Sequence, residues 1–476
     1  MVSIDDLRPA LQAADQAHLL TFADQLSAAE HDALHSQIAA IDFKKLPSLI
    51  DEYVLDKPAF ELPSDVDAAP YYPADPTASF KPYNAAKYHA AGEDLIRAGK
   101  VACFTVAGGQ GSRLGYDGPK GCYPAGAVTK KPLFQIFAEG VLATAKKYSK
   151  TVPWYIMTSP LNHEATVAFF KEHSHFGLEP ADVMFFPQGT IPSFDMKTGK
   201  ILLSQKHEIA TNPDGHGGSL TALHTSGALD DMTKRGIEHI SYFQVDNPNV
   251  KVADPLFLGL HATASDSSGE LSSKMLPKAY PEEKLGLFAT AGGRVCVIEY
   301  SDMPMERQRE TLDDGRLRFL AGSPAIHVFG RAFVEKVNTD EDFDLPYHRA
   351  EKKIPHVDLD TGEQVSPDAP NGVKLERFVF DALPMAEKSI ILETSRVEDF
   401  APIKNAEGQD SAESSAQLQT QKAAGWLEAA GVEIPKKADG TPDCVLEISQ
   451  LTALEPGDLK GADLPAKIGA GEKVAL

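Results

Sequence analysis

Along residues 1–60 the apolar positions recur at steps of three and four: Leu19, Phe22 and Leu26, then Leu34, Ile38 and Ile41. That period predicts helices. Pro63, Pro70, Pro73, Pro76 and Pro82 follow and predict an extended connector, because proline lacks the N–H a helix interior needs. A helix is expected over about 84–98, leading into the apolar run Val101-Ala-Cys-Phe-Thr-Val106.

From there short apolar runs alternate with helical stretches, the pattern of a mainly parallel sheet covered by helices. Strands are expected at 101–106, 154–158, 183–186, 240–245, 294–300 and 389–392, with a helix opening near Pro132. Residues 405–416 are small and polar and predict a mobile linker, followed by a helix over 417–430 and a strand over 444–448. The expected fold is α/β. A central mixed, mostly parallel Rossmann-like sheet carries an N-terminal helical cap and connector (1–94), a catalytic domain (95–400) and a small C-terminal α+β domain (401–476).

Composition narrows the function. The chain has 476 residues, 42% hydrophobic and 24% charged, ordinary for a soluble globular protein. A net charge of −22 argues against nucleic acid or a membrane surface as partner, since polyphosphates attract Lys and Arg over a whole face. Four scattered cysteines without a Cys-x-x-Cys pair fit reduced thiols. The first residues do not have the pattern of a signal peptide, and no run of 18 apolar residues occurs. A cytoplasmic location is expected.

In an open α/β sheet, ligands sit beyond the carboxyl ends of the strands, so the loops there are where chemistry is sought. Val106 is followed by Ala107-Gly-Gly-Gln-Gly-Ser112, then Arg113 and Lys120. Glycines free backbone N–H groups to nest phosphate oxygens, and the two cations supply charge. The spacing is not that of a dinucleotide fingerprint, and Lys120 lies between Pro119 and Gly121 rather than in a Gly-Lys-Ser/Thr loop.

Asp246 ends an apolar run before Asn-Pro. It either holds Mg²⁺ together with substrate phosphates or closes an Asx-turn. His216, between glycines, reads as a turn residue or a site residue. His173-x-His175 lacks further ligands and reads as a solvated loop. Lys374, Lys404 and Gln188 taken singly are ordinary surface groups.

Together these stretches resemble the eukaryotic-type UDP-sugar pyrophosphorylase family, most closely its N-acetylglucosamine branch. The likeness is carried by Ala107–Gly115 with Pro119-Lys-Gly121, Pro213–Gly218, Val245–Pro255, Val297–Ser301, Pro370–Asp381 and Arg396–Asn405. It implies a nucleotidyltransferase fold and transfer of UMP from UTP to a sugar 1-phosphate, releasing pyrophosphate.

By that resemblance Ala107, Gly108, Gly109, Gln110, Gly111 and Ser112 hold the nucleotide, and Gln188 with Gly215 reads the uracil. Arg113 and Lys120 grip the β- and γ-phosphates, and Asp246 holds Mg²⁺. Lys404 is catalytic and, with Lys374, approaches the sugar phosphate. His216, Gly217, Glu299, Tyr300, Ser323 and Asn371 line the sugar-phosphate site. Where acetylamino-sugar enzymes carry Asn at two of these places, this chain has His216 and Ser323. A glucose-type or broad specificity is therefore expected, with N-acetylglucosamine as the alternative and, as an alternative of another class, a non-catalytic nucleotide-sugar-binding regulatory protein on the same fold.

Overall fold

Four apolar runs, Val101–Val106, Trp154–Thr158, Val183–Pro187 and His239–Gln244, form the parallel centre of a mixed sheet. The computed structural model describes residues 4–57, 60–340 and 344–476. Val101–Val106 lies between His239–Gln244 and Trp154–Thr158, and the register aligns their carboxyl ends: Val106 faces both Gln244 and Met157. The helix Leu133–Tyr148 turns Phe134, Phe137 and Val141 onto Cys103, Trp154 and Phe243, so the centre of the sheet is dry and rigid. Pro132 sits at the cap of this helix, not inside it.

The sheet is less parallel than the pattern predicts. Among the described residues it has 11 strands, and antiparallel ladders outnumber parallel ones. His327–Gly330 runs antiparallel to His239–Gln244, and Leu271–Pro277 pairs with it in turn. These two strands were not expected from the sequence, because their polar residues, Ser272, Ser273, Lys274 and His327, are all buried and break the apolar signature.

Smaller differences follow from local chemistry. The strand expected at 294–300 stops at Ile298. The polar stretch expected as a linker holds the start of a helix, Ala412–Ala429, because Ser411 and Ser414 form a capping box.

The chain divides into two units, differently from 1–94, 95–400 and 401–476. One gathers residues 1–61, 189–218 and 344–379; the other gathers 62–188, 219–343 and 380–476. In the first, helices Ile4–Ala13 and Ala28–Ala39 are not a free-standing cap. Leu11, Leu34 and Ile38 share a core with Ile191, Phe194, Val373 and Leu375, which closes the strands Phe194–Asp195, Tyr347–Lys352 and Gly372–Arg377 into a layer. In the second, Trp426, Leu427, Leu446, Leu459 and Ile468 form their own apolar cluster. That cluster is tied to the main body: the Gln419 amide donates to Ala125 O at 2.9 Å, and Glu447 accepts the N–H groups of Val128 and Thr129 at 2.7 and 2.8 Å. No helix among the described residues is long and apolar enough to cross a membrane.

Candidate active site

Where the apolar strand Val101–Val106 ends, the backbone enters the glycine loop, and the loop is held open by its own hydrogen bonds. Gly111 N–H donates to Gly118 O at 2.9 Å and Lys120 N–H to Gly109 O at 3.1 Å, which closes residues 109–120 into a ring. Asn162, absent from the sequence reading, braces it. Its Nδ2 donates to the carbonyls of Ala107 and Gly109 at 2.9 and 3.2 Å, while its Oδ1 accepts Ser159 N–H at 2.8 Å. The Ala107 and Gly111 N–H groups are bound to Met157 O and Gly118 O at 2.7 and 2.9 Å, so the stretch whose amides can turn to a ligand is Gly108–Gln110. Gln188 leaves the neighbouring strand with its N–H on Thr158 O, and its Oε1 lies where a Cβ on Gly108 would be. Glycine is the residue that lets the two approach.

Lys120, Asp246 and Lys404 come together. Lys120 Nζ stands 3.3 Å from Asp246 Oδ2, both side chains mostly buried. Burial by itself would raise the Asp246 carboxyl, but Lys120 and then Lys404 hold it below the ordinary carboxylate range. Asp246 is therefore a buried anion set between two cations, Lys120 and Lys404, that lie far from it along the chain. Arg113 stands apart from this trio. It lies on the single turn Ser112–Leu114 of the same loop, is exposed, and makes no hydrogen bond or ion pair with a described residue. 

Ser323 and Glu299 meet at Gly286. Ser323 N–H donates to Gly286 O at 2.9 Å, and Glu299 Oε1 lies 3.4 Å from the position a Gly286 Cβ would take. Tyr300 follows in an exposed turn, its carbonyl accepting from the Gln308 amide at 2.9 Å.

The remaining expected residues belong to the other unit and are described within it. Gly215 has φ +80°, and a Cβ there would strike Arg377 O; Gly217 N–H donates to that same carbonyl at 2.7 Å. His216 stacks flat on Phe378, with ring centroids 5.0 Å apart and 4° between planes, and His348 covers the other ring contact of Phe378 at 3.9 Å. Val379 N–H donates to His216 Nδ1 at 3.1 Å. Burial and then the nearby His348 push His216 down to about 4, so the ring is neutral and its proton sits on Nε2.

Lys374 lies half-buried on the strand Gly372–Arg377. Asn371 is engaged within the protein. Its Oδ1 accepts Ile354 N–H at 2.7 Å and its Nδ2 donates to Ile354 O at 3.1 Å, so the amide is spent on joining two chain segments. His173 packs against Phe169 and Phe176, and no group of three or more potential metal ligands occurs among the described residues.

This arrangement has parallels among known proteins. The profile of a family described as UTP–glucose-1-phosphate uridylyltransferase matches residues 66–422. UDP-N-acetylglucosamine diphosphorylase 2 of Arabidopsis thaliana is 40% identical over 361 residues, 72% of this chain and 69% of that protein. UDP-N-acetylglucosamine pyrophosphorylase of Saccharomyces cerevisiae is 37% identical over 435 residues, 88% of this chain and 90% of its own. The crystal structure of the uridine diphosphate N-acetylglucosamine pyrophosphorylase of Trypanosoma brucei in complex with inhibitor superposes with a TM-score of 0.80 at 26% identity, covering 99% of this chain and 98% of that one. The chain belongs to the UTP–glucose-1-phosphate uridylyltransferase family and is a uridylyltransferase acting on sugar 1-phosphates.

Proposed function

We propose that this enzyme joins UTP and N-acetylglucosamine 1-phosphate to give UDP-N-acetylglucosamine and pyrophosphate. The observation that carries the reaction is the meeting of Lys120, Asp246 and Lys404 beyond the carboxyl ends of adjacent parallel strands. A phosphate oxygen of the sugar 1-phosphate attacks the α-phosphorus of UTP. A new P–O bond forms, the bond to the β-phosphate oxygen breaks, and the electron pair leaves with pyrophosphate.

The protein's task is to hold two mutually repelling anions in line and to neutralise charge growing on the leaving group. In this reading the glycine-loop amides and Gln188 bind the nucleotide, Arg113 and Lys120 draw on the leaving phosphates, and Lys404 steadies the attacking phosphate. Gly215, His216 and Gly217 serve the second glycine loop, while Glu299, Tyr300 and Ser323 line the sugar. A single ionised, buried carboxylate suits Mg²⁺, which keeps waters and takes the rest of its ligands from substrate phosphates. Asp246 would hold it, and the ion would supply further neutralisation of the triphosphate.

The choice of sugar corrects the glucose-type expectation. The relatives at 37–40% identity are named for N-acetylglucosamine. The two substitutions behind that expectation are also chemically mild. His216 is uncharged, with its Nδ1 taken by Val379, and Ser323 Oγ accepts Ala325 N–H at 3.4 Å. Neither substitution adds a charge. Pyrophosphate release from UTP with N-acetylglucosamine, glucose and galactose 1-phosphates tests the reading. We expect kcat/KM for N-acetylglucosamine 1-phosphate to lead by about tenfold or more. Preference for glucose 1-phosphate would overturn the substrate, and no release with any sugar would overturn the reaction.

A further inference from the structure

Lys404 ends a segment held by hydrogen bonds along its length, and two of them are made by the side chain of Asn247, the neighbour of Asp246. Asn247 is buried, 3% exposed. Its Nδ2 donates to Asp399 O at 2.6 Å and its Oδ1 accepts Ala401 N–H at 2.9 Å. Ile403 N–H donates to Asp246 O at 2.9 Å, and Lys404 N–H to Asp410 O at 2.6 Å. Ser415 Oγ takes the Ala401 carbonyl at 2.6 Å from the side of the helix Ala412–Ala429.

Behind the clamp lies Lys274, 2% exposed. Its Nζ joins the Asp399 and Asp254 carboxylates at 2.5 and 2.6 Å, and Thr394 Oγ1 donates to Asp399 at 2.7 Å. A buried cation with two buried carboxylates is a costly arrangement unless every partner stays in place. The strand Leu271–Pro277 is thereby locked to the segment that carries Lys404.

We infer that Asn247 is a positioning residue: by clamping Asp399 and Ala401 it sets where Lys404 stands relative to Asp246, and Lys274 locks that clamp from behind. Nothing in this geometry brings Asn247 itself to the substrate, since both ends of its amide are engaged with backbone. The inference rests on the proposed role of Lys404 at the attacking phosphate.

A double-mutant cycle tests it, with circular dichroism and thermal unfolding to establish that each variant is folded. Asn247→Ala is expected to lower kcat by about 10- to 100-fold, the cost of a displacement on the order of 1 Å, with KM for UTP and for the sugar phosphate within about twofold. In a Lys404→Met background the same substitution is expected to change kcat by less than about twofold, because the group it acts through is gone.

An equal loss in both backgrounds overturns the inference, because Asn247 would then act through Asp246 or through general stability. Wild-type kcat in Lys404→Met alone removes the reading of Lys404 instead, so the two failures are distinguishable. If Asn247→Ala does not fold, Ser415→Ala runs the same cycle from the far side of Ala401. There a loss of about threefold that vanishes in Lys404→Met is the supporting result, and no loss or an equal loss is the overturning one.

Discussion

At the scale of single residues, the expected chemistry divides into groups already engaged with one another and groups left facing outward. Lys120 and Asp246 pair with one another, whereas Arg113 is exposed on its loop. If it bridges two phosphate oxygens, a fork is required and a point charge is a poor replacement. Arg113→Lys should lower kcat by about tenfold or more, read by steady-state kinetics at saturating UTP, and turnover at the wild-type level would remove Arg113 from the site.

His216 gives a prediction in pH. Its folded pKa is pushed down to about 4 from an ordinary 6.5, by burial first and His348 second. Between those values the unfolded chain binds the proton and the folded one does not. Stability from this group is whole above 6.5 and is lost as pH falls through 4, at up to about 1.4 kcal/mol per pH unit. Urea denaturation from pH 7 to pH 4 should show a shallower fall in His216→Asn, and an unchanged slope would mean the ring is protonated in the fold. Single residues were the least legible from sequence. Asn162 and Asn247 act by hydrogen bonds to backbone at sequence distances of 53 to 154 residues, and an isolated Asn in a loop reads as a turn.

At the scale of elements, the strands Val101–Val106 and Trp154–Thr158 fall where the apolar runs place them, because a strand buried on both faces is continuously apolar. The helix Ala85–Arg97 begins after its Asn84 cap, whose side chain accepts Lys87 N–H at 3.0 Å. Strands with buried polar residues were hidden for the converse reason. Ser273, for one, bonds His327 across strands, with Oγ and Nδ1 2.8 Å apart, an arrangement no local pattern records.

The helix Ala412–Ala429 shows how much a cap can decide. Ser411 Oγ accepts Ser414 N–H at 3.2 Å, while Ser414 Oγ accepts Ser411 N–H at 2.9 Å. This box starts a helix inside a stretch whose composition reads as linker. Ser411→Ala should cost about 1 kcal/mol, seen as a lower urea midpoint at constant slope; an unchanged midpoint would mean that packing of Trp426 and Leu427 holds the helix without its cap.

At the scale of the whole molecule, the buried network of Lys274, Asp254 and Asp399 ties distant parts of one unit together. Asp254 caps the helix Pro255–Thr263, Lys274 lies on a central strand, and Asp399 precedes Lys404. Burial disfavours both charges, yet Lys274 holds the Asp399 carboxyl far below its ordinary range and is itself held charged by the two acids. Lys274→Met would leave two buried carboxylates facing one another and should destabilise by about 3–5 kcal/mol, measured by equilibrium unfolding. A loss below about 1 kcal/mol would mean that the network is hydrated like a surface pair.

What the sequence determined by itself is the local part: the continuously apolar strands and their order along the chain, the glycine loop with its cations, and the family likeness that orders the motifs. These depend on residue type and short spacing, which a linear string preserves. The tertiary structure alone decided that the N-terminal helices share a core with segments beginning at 189 and 344, that most ladders of the sheet run antiparallel, and that Lys404 is brought to Asp246 by a clamp on Asn247. Burial and hydrogen bonding act between whichever groups the fold makes neighbours, and the chain between those groups carries no mark of their meeting.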